Sequence, residues 1–230
     1  VLNNVDPYVL QRAVQLRYKK SLFDTAKYLL DYRDITEKTH RRVTDTLEDD
    51  SERKLICYPR GTFKSSLVTI SYPIWLLINN PDLRIFIDSE LYANAVSYLR
   101  EIKLHMQSEA FIKIFGEWRT ETWNESEIII KPRKKIFKEP SIMVGGIETS
   151  KVGMHYTHII GDDYSSDSNT ATKEQREKVI NHYRMNLAIL EPGGTYVISG
   201  TRYSEQDIIG HIIHNELGFK SLDEMKLALK

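Results

Sequence analysis

Leu55-Ile56-Cys57-Tyr58-Pro59-Arg60-Gly61-Thr62-Phe63-Lys64-Ser65-Ser66-Leu67 is the stretch that most limits what this chain can fold into. An apolar run stops at a Pro/Gly turn and a helical pattern begins directly after it, so the local order is strand, loop, helix. At such a junction the backbone N–H groups of the loop and the first unpaired N–H groups of the helix converge and can cradle an anion. A lysine there meets β- and γ-phosphates and a hydroxyl meets Mg²⁺; Lys64 and Ser65 are those residue types in that order. Against the pattern G-x-x-x-x-G-K-[ST], however, Tyr58 and Phe63 occupy the two glycine positions and Gly61 is the only glycine of the loop. Taken alone, the stretch fits an ordinary strand-to-helix turn with a surface lysine equally well.

The flanking patterns predict strands separated by helices. Residues 7–33 carry apolar positions at near-helical spacing, and residues 35–47 predict a second helix with Thr36 as N-cap and Asp49-Asp50-Ser51 as its exit. Residues 54–58 predict a short buried strand, and 65–79 a helix that Pro73 kinks or interrupts. Strands at 83–87, 127–131, 141–144, 157–160 and 195–198 alternate with helices at 89–106, 174–190 and 207–217, and Glu191-Pro192-Gly193-Gly194 reads as a turn. The predicted fold is α/β, with a mainly parallel central sheet covered by helices on both faces. Residues 1–53 form an N-terminal helical region packed on a core of 54–230.

With 230 residues and 41% hydrophobic content the chain can bury one large α/β core. Its formal net charge of +0 gives no overall footprint for nucleic acid, so any such contact must be local. The most basic segment, residues 131–138, is either a solvated loop or a patch that tracks a nucleic-acid backbone. The single cysteine, Cys57, excludes an internal disulfide and a Cys-based zinc site, predicts a buried thiol and fits a reducing compartment. No apolar stretch is long enough to span a bilayer and no signal-peptide pattern opens the chain, which predicts a soluble protein. Val1 in place of Met leads us to expect missing ends.

In an open parallel sheet, ligands bind beyond the carboxyl ends of the strands. The strand at 54–58 leads to Lys64 and Ser65. The strand at 157–160 leads to Asp162 and Asp163, a pairing in which one carboxylate holds Mg²⁺ and its neighbour orients the attacking water. The strand at 195–198 leads to Ser199, Thr201 and Arg202, where a hydroxyl or guanidinium can sense the terminal phosphate. Each has a plain alternative, a solvated turn or a strand breaker, but their occurrence together behind apolar strands points to nucleotide hydrolysis.

These residues resemble the ATPase (motor) domain of the large terminase subunits of tailed bacteriophages. Pro59-Arg60-Gly61-Thr62-Phe63-Lys64-Ser65-Ser66 is similar to the family's divergent Walker A, and Gly153-Met154-His155-Tyr156-Thr157-His158-Ile159-Ile160-Gly161-Asp162-Asp163 to its approach to Walker B. Ser199-Gly200-Thr201-Arg202-Tyr203 followed by Asp207-Ile208-Ile209-Gly210 resembles its coupling motif. The resemblance implies a P-loop NTPase of the RecA-like/ASCE type that hydrolyses ATP with Mg²⁺ and translocates double-stranded DNA into a procapsid. By resemblance, residues 59–66 bind the nucleotide, Lys64 takes the β/γ-phosphates, Ser65 and Asp162 hold Mg²⁺, and Asp163 positions water. Thr201 then belongs to the coupling segment and Arg60 reaches phosphate or communicates hydrolysis. Phe63 departs from the family's small residue, and Asp163 stands where many members carry Glu. The implied partners are DNA, a portal protein and a small terminase subunit, in a homo-oligomeric ring when assembled or a monomer when isolated, in the host cytoplasm and away from membranes. Lys151, Arg202 and Arg100 are the candidates for a residue that reaches a neighbouring subunit's nucleotide. The family's C-terminal nuclease domain is expected to be absent from this chain. The alternatives are another P-loop translocase or helicase-like ATPase, or a nucleotide-binding scaffold with a decayed phosphate loop.

Overall fold

A computed structural model describes residues 6–149 and 153–228. Its centre is a six-stranded sheet formed by β1 (Arg53–Cys57), β2 (Ile85–Ser89), β3 (Glu127–Ile128), β4 (Ile142–Gly146), β5 (Tyr156–Asp162) and β6 (Leu190–Gly200), in the order β1-β6-β5-β2-β4-β3. All pairings are parallel except that of β3, a two-residue strand antiparallel to β4 at one edge. The fold is α/β with a mostly parallel sheet.

Alternation along the strands divides the side chains between two faces. On one face Ile85, Ile87, Ile160 and Val197 pack with Leu67 and Val68 of the helix after the loop, with Leu99 and Ile102 of the Tyr92–Met106 helix, and with Val43 and Leu47 of the Glu37–Glu48 helix. On the other, Phe86, Ile159, Tyr196 and Ile198 pack with Val179 and Tyr183 of the Lys173–Ile189 helix and with Ile208 and Ile209. Helices therefore cover both faces. The N-terminal segments Pro7–Lys20, Leu22–Asp24 and Thr25–Leu29 contribute Tyr18, Leu22, Phe23, Ala26 and Leu29 to the first of these clusters, so they share its core.

Several local expectations shift for identifiable reasons. Cys57 is exposed rather than buried: β1 is an edge strand hydrogen-bonded only to β6, and its side chains alternate between cover and solvent. Pro73 does not break its helix. The backbone widens before it into an i→i+5 turn over Ser66–Ser71, where Tyr72 N–H reaches Leu67 O, and then continues as the Tyr72–Asn79 helix with proline in its first turn. Glu191-Pro192-Gly193-Gly194 lies within β6 as an irregularity, because Tyr156 pairs with Leu190 while His158, two residues on, already pairs with Thr195. The strand predicted at 127–131 is reduced to two residues, since Ile129 N–H and Lys131 N–H turn to Thr122 O and Trp118 O.

The basic segment 131–138 lies at the amino ends of the strands, the opposite end of the sheet from the Lys64 loop. It precedes β4, and Asp82, just before β2, accepts hydrogen bonds from Lys134 N–H and Lys135 N–H at 2.7 and 2.9 Å. Phe137 sits against the guanidinium groups of both Arg84 and Arg133, and Ile136 at its tip is 99% exposed. No helix among the described residues is long and apolar enough to cross a membrane.

His158 on β5 packs edge-on to Tyr72, and burial, reinforced by Lys54, lowers its pKa to about 4. The unfolded chain takes up that proton near pH 6.5 and the folded chain does not, so stability present above pH 6.5 is lost as pH falls toward 4, by up to ~3 kcal/mol. Chemical denaturation between pH 7 and pH 4 should show this slope in the parent and a shallower one in His158→Asn.

Candidate functional site

The phosphate-loop candidate leaves the sheet at the carboxyl end of β1 and closes on itself through Thr62 Oγ1, which donates to Pro59 O at 2.7 Å. The first helical bond follows from Leu67 N–H to Phe63 O at 2.9 Å. Two loop residues are left-handed, Gly61 with φ 75° and Phe63 with φ 54°. Phe63 is the second glycine position of the strict pattern, so the backbone keeps the glycine conformation without the glycine, at about 1–2 kcal/mol for a residue bearing Cβ. Its ring meets His40 edge-on, with centroids 5.9 Å apart. At the first glycine position, Tyr58 Oη donates to Thr39 O at 3.1 Å. The sequence pattern marked both residues as departures and carried no signal of these anchors, which come from a helix earlier in the chain.

The three strand ends converge. Lys64 is 7% exposed, and its Nζ donates to Asp163 Oδ1 at 2.5 Å. The same oxygen accepts Thr201 N–H at 3.2 Å, while Thr201 Oγ1 donates to Tyr58 O at 3.3 Å, tying the end of β6 to both the carboxylate and the start of the loop. Asp163 is left-handed at φ 47°, and its N–H donates to Ser199 O at 2.9 Å. The following Tyr164 dives under the sheet, where its hydroxyl donates to Asp88 Oδ2 at 3.1 Å within a buried network that includes His182, Asn186 and Tyr196. Its ring packs over Gly161, where an added Cβ would come within 2.4 Å of it. The turn carrying both aspartates is thereby anchored from below.

Asp162 has a different environment. It is 0% exposed, and neither carboxylate oxygen has a hydrogen-bond partner. In register beside it lie Ser89 on β2 and Ser199 on β6, both buried with unpartnered hydroxyls. Burial raises the carboxyl pKa and Asp163 adds to the rise; Ser65, Lys64 and Tyr98 oppose it without reversing it. The hydroxyls of Ser65 and Tyr98 act on the carboxylate from nearby, yet neither satisfies a carboxylate oxygen with a well-formed hydrogen bond. An orphaned buried carboxylate beside Ser65 fits a hard divalent cation, since Mg²⁺ takes one or two carboxylates and completes its shell with water and phosphate oxygens. Among the described residues no group of three or more His, Cys, Asp or Glu side chains converges as an all-protein cage.

A cleft of about 500 Å³ opens over this point, with residues 59–66 on one side and Glu90, Asn94, Asp163, Ser165, Ser166 and Tyr203 on the other. Arg60 is exposed at its edge with its guanidinium 5.3 Å from the Tyr203 ring centroid. Arg202 donates from Nε to Ser204 O at 3.3 Å and leaves Nη2 buried without a partner. Arg100 is exposed on the Tyr92–Met106 helix, away from the cleft lining. Lys151 lies outside the described residues. Glu90 was not singled out from the sequence, although the strand-end rule applied to β2 would have found it. Tyr98 carries no such signal, whereas Tyr203 stands in the stretch that resembles the coupling motif. Compared with known proteins, the chain matches no protein-family model and no curated protein.

Ionised Asp162 opposes folding: its raised pKa means the associated stability is present at low pH and lost as pH rises through the folded value. Asp162→Asn should therefore stabilise the nucleotide-free protein at pH 7.5 by ~1–3 kcal/mol, about 2–4 °C in Tm for each kcal/mol. The gain should shrink as pH is lowered. Calorimetry at two pH values checks it, and an Asn variant less stable than the parent at pH 7.5 would contradict the unpaired-carboxylate account.

Proposed function

We propose that this chain is an ATP-hydrolysing motor domain of the kind found in bacteriophage DNA-packaging terminases, a P-loop NTPase of the RecA-like/ASCE type. The observation that carries the proposal is the convergence of Lys64, Asp162, Asp163 and Thr201 from three different strand ends beside a loop with two left-handed residues. The order of the sheet supports it too: β6 lies between β1, which bears the loop, and β5, which bears the aspartates.

In this proposal the N–H groups of residues 59–66 and the Lys64 ammonium bind the β- and γ-phosphates of ATP, with Lys64 exchanging Asp163 for phosphate. Ser65 and Asp162 would hold Mg²⁺, which supplies charge neutralisation on the phosphate oxygens. Asp163, released from Lys64, accepts a hydrogen bond from the attacking water and aligns it with the γ-phosphorus. Thr201, bonded to Asp163 and to Tyr58 O, passes the change at the carboxylate to β6 and the segment beyond. Arg60 is placed to reach phosphate from the cleft edge. Translocation of double-stranded DNA, a ring of subunits with an arginine such as Arg202 or Arg100 acting between them, and contacts with portal and small terminase subunits belong to the same proposal. So does a host-cytoplasmic location.

Lys64→Ala should abolish both ATP binding and turnover. Asp163→Asn should leave nucleotide affinity within a few fold of the parent while single-turnover hydrolysis falls by about 10²–10⁴-fold, the range a positioned base contributes. Asp163→Glu should retain partial activity. Equilibrium titration of a fluorescent ATP analogue and quenched-flow hydrolysis measure the two quantities separately. Binding without turnover in the parent, even at high protein concentration and with DNA, would make the chain a nucleotide-binding scaffold.

A further inference from the structure

The two residues that break the phosphate-loop pattern share one support. Tyr58 and Phe63 stand at its two glycine positions, and they are anchored by consecutive residues of the Glu37–Glu48 helix: Tyr58 Oη on Thr39 O and the Phe63 ring on His40. We propose that this helix is a positioning element of the phosphate loop, and that His40 is the positioning residue that keeps Phe63 in its left-handed conformation. The proposal rests on residues 59–66 being the nucleotide phosphate site.

Phenylalanine at φ 54° is intrinsically disfavoured, by an amount that biases an unsupported loop toward other conformations by about 5- to 30-fold. A glycine would need no support there; Phe63 needs its ring held. The edge-on geometry, with 79° between the ring planes, is a favourable arrangement for two aromatic rings. His40 is itself immobilised: it is 6% exposed and its Nδ1 accepts Thr36 N–H at 2.9 Å, at the start of the helix. The far end of the helix is fixed to the strand that feeds the loop. Lys54 of β1 donates to Thr46 O at 2.8 Å and to Asp49 O at 2.6 Å, meeting carbonyls that a helix terminus leaves open. Strand, loop and helix thus form a closed frame, with Lys54 joining one end and Tyr58 and Phe63 the other.

The consequence is that affinity for phosphate depends on a side chain outside the motif, and that the dependence disappears when position 63 no longer needs holding. The test is a double-mutant cycle on binding of a fluorescent ATP analogue with Mg²⁺. His40→Ala should weaken binding by about 5- to 30-fold, and the same substitution in a Phe63→Gly background should change it by less than about twofold, because glycine adopts the left-handed conformation unaided. Thermal stability, measured in parallel, separates positioning from a merely structural role, which would lower Tm in both backgrounds and cost the same fold-change in affinity in each. Equal losses in the two backgrounds, or parental affinity in His40→Ala, would overturn the proposal. If His40→Ala does not fold, His40→Asn keeps an acceptor for Thr36 N–H, removes the ring and carries the same comparison. Lys64→Ala distinguishes the two levels: if it binds nucleotide as the parent does, the phosphate-site assignment fails. If it does not bind while His40→Ala keeps parental affinity, only the positioning role fails.

Discussion

Asp162 is a carboxylate taken out of water with no hydrogen bond to replace it, at the end of a strand whose interior is Ile159 and Ile160. Such a group costs free energy in the fold, and native proteins seldom leave one unpartnered. The neighbouring cation relieves it only in part, because Lys64 directs its ammonium to Asp163 instead. Where the cleft meets the end of β5, two carboxylates, Asp163 in its lining and Asp162 buried next to it, thus stand against Lys64. In the proposed function that imbalance would be met by a metal-bound nucleotide, which brings a cation together with an anion that can draw Lys64 away. Much of the sheet can be understood as support for this point. β2, β5 and β6 are held in register so that Ser89, Asp162 and Ser199 form one row, while Tyr164 is locked beneath the opposite face.

How much of this was legible in the chain depends on the range of the interaction. The junction at residues 55–67, the carboxylates after residues 157–160 and the hydroxyls after 195–198 are local patterns, and each lies where the strand-end rule puts it. Strand order is not local. Nothing in residues 53–57 says that β1 is an edge strand, so Cys57 read as buried when one side of its strand has no neighbour. The same limitation hid Tyr98, which approaches Asp162 from the helix after β2. Glycines and prolines mislead in a different way. Pro73 is accommodated by a widened turn and Gly193 by the irregularity in β6, so residues that punctuate a sequence need not end an element.

The glycine positions of the loop teach the converse. A pattern match asks which residue stands at a position, whereas the proposed anion site requires a backbone conformation, and a conformation can be enforced from elsewhere. At Phe63 the left-handed backbone coexists with an aromatic ring because that ring has a surface to pack on, including His40. Tyr58 has its hydroxyl on the adjacent Thr39 carbonyl. The N-terminal helices therefore contribute more than a covering layer. In the positioning role proposed for them they supply conformational information that glycine would otherwise encode in the loop itself, which a search restricted to the loop could not recover.

The identity of residue 163 follows from the same physics. Its φ of 47° is in the region that Asp and Asn enter several-fold more readily than most residues, because a short polar side chain can bond locally to the backbone. In Asp163 the carboxylate instead reaches across to Thr201 N–H beyond β6, with the same Oδ1 on Lys64. A glutamate at this backbone angle would lose that tolerance and would carry its carboxylate one methylene further, past the amide that now orients it. Aspartate is thus matched to a left-handed turn, and the turn in turn is fixed by Tyr164 and by the Asp163 N–H bond to Ser199 O. The carboxylate's reach and the backbone's handedness are one constraint, so the shorter acid is a consequence of how this turn is built.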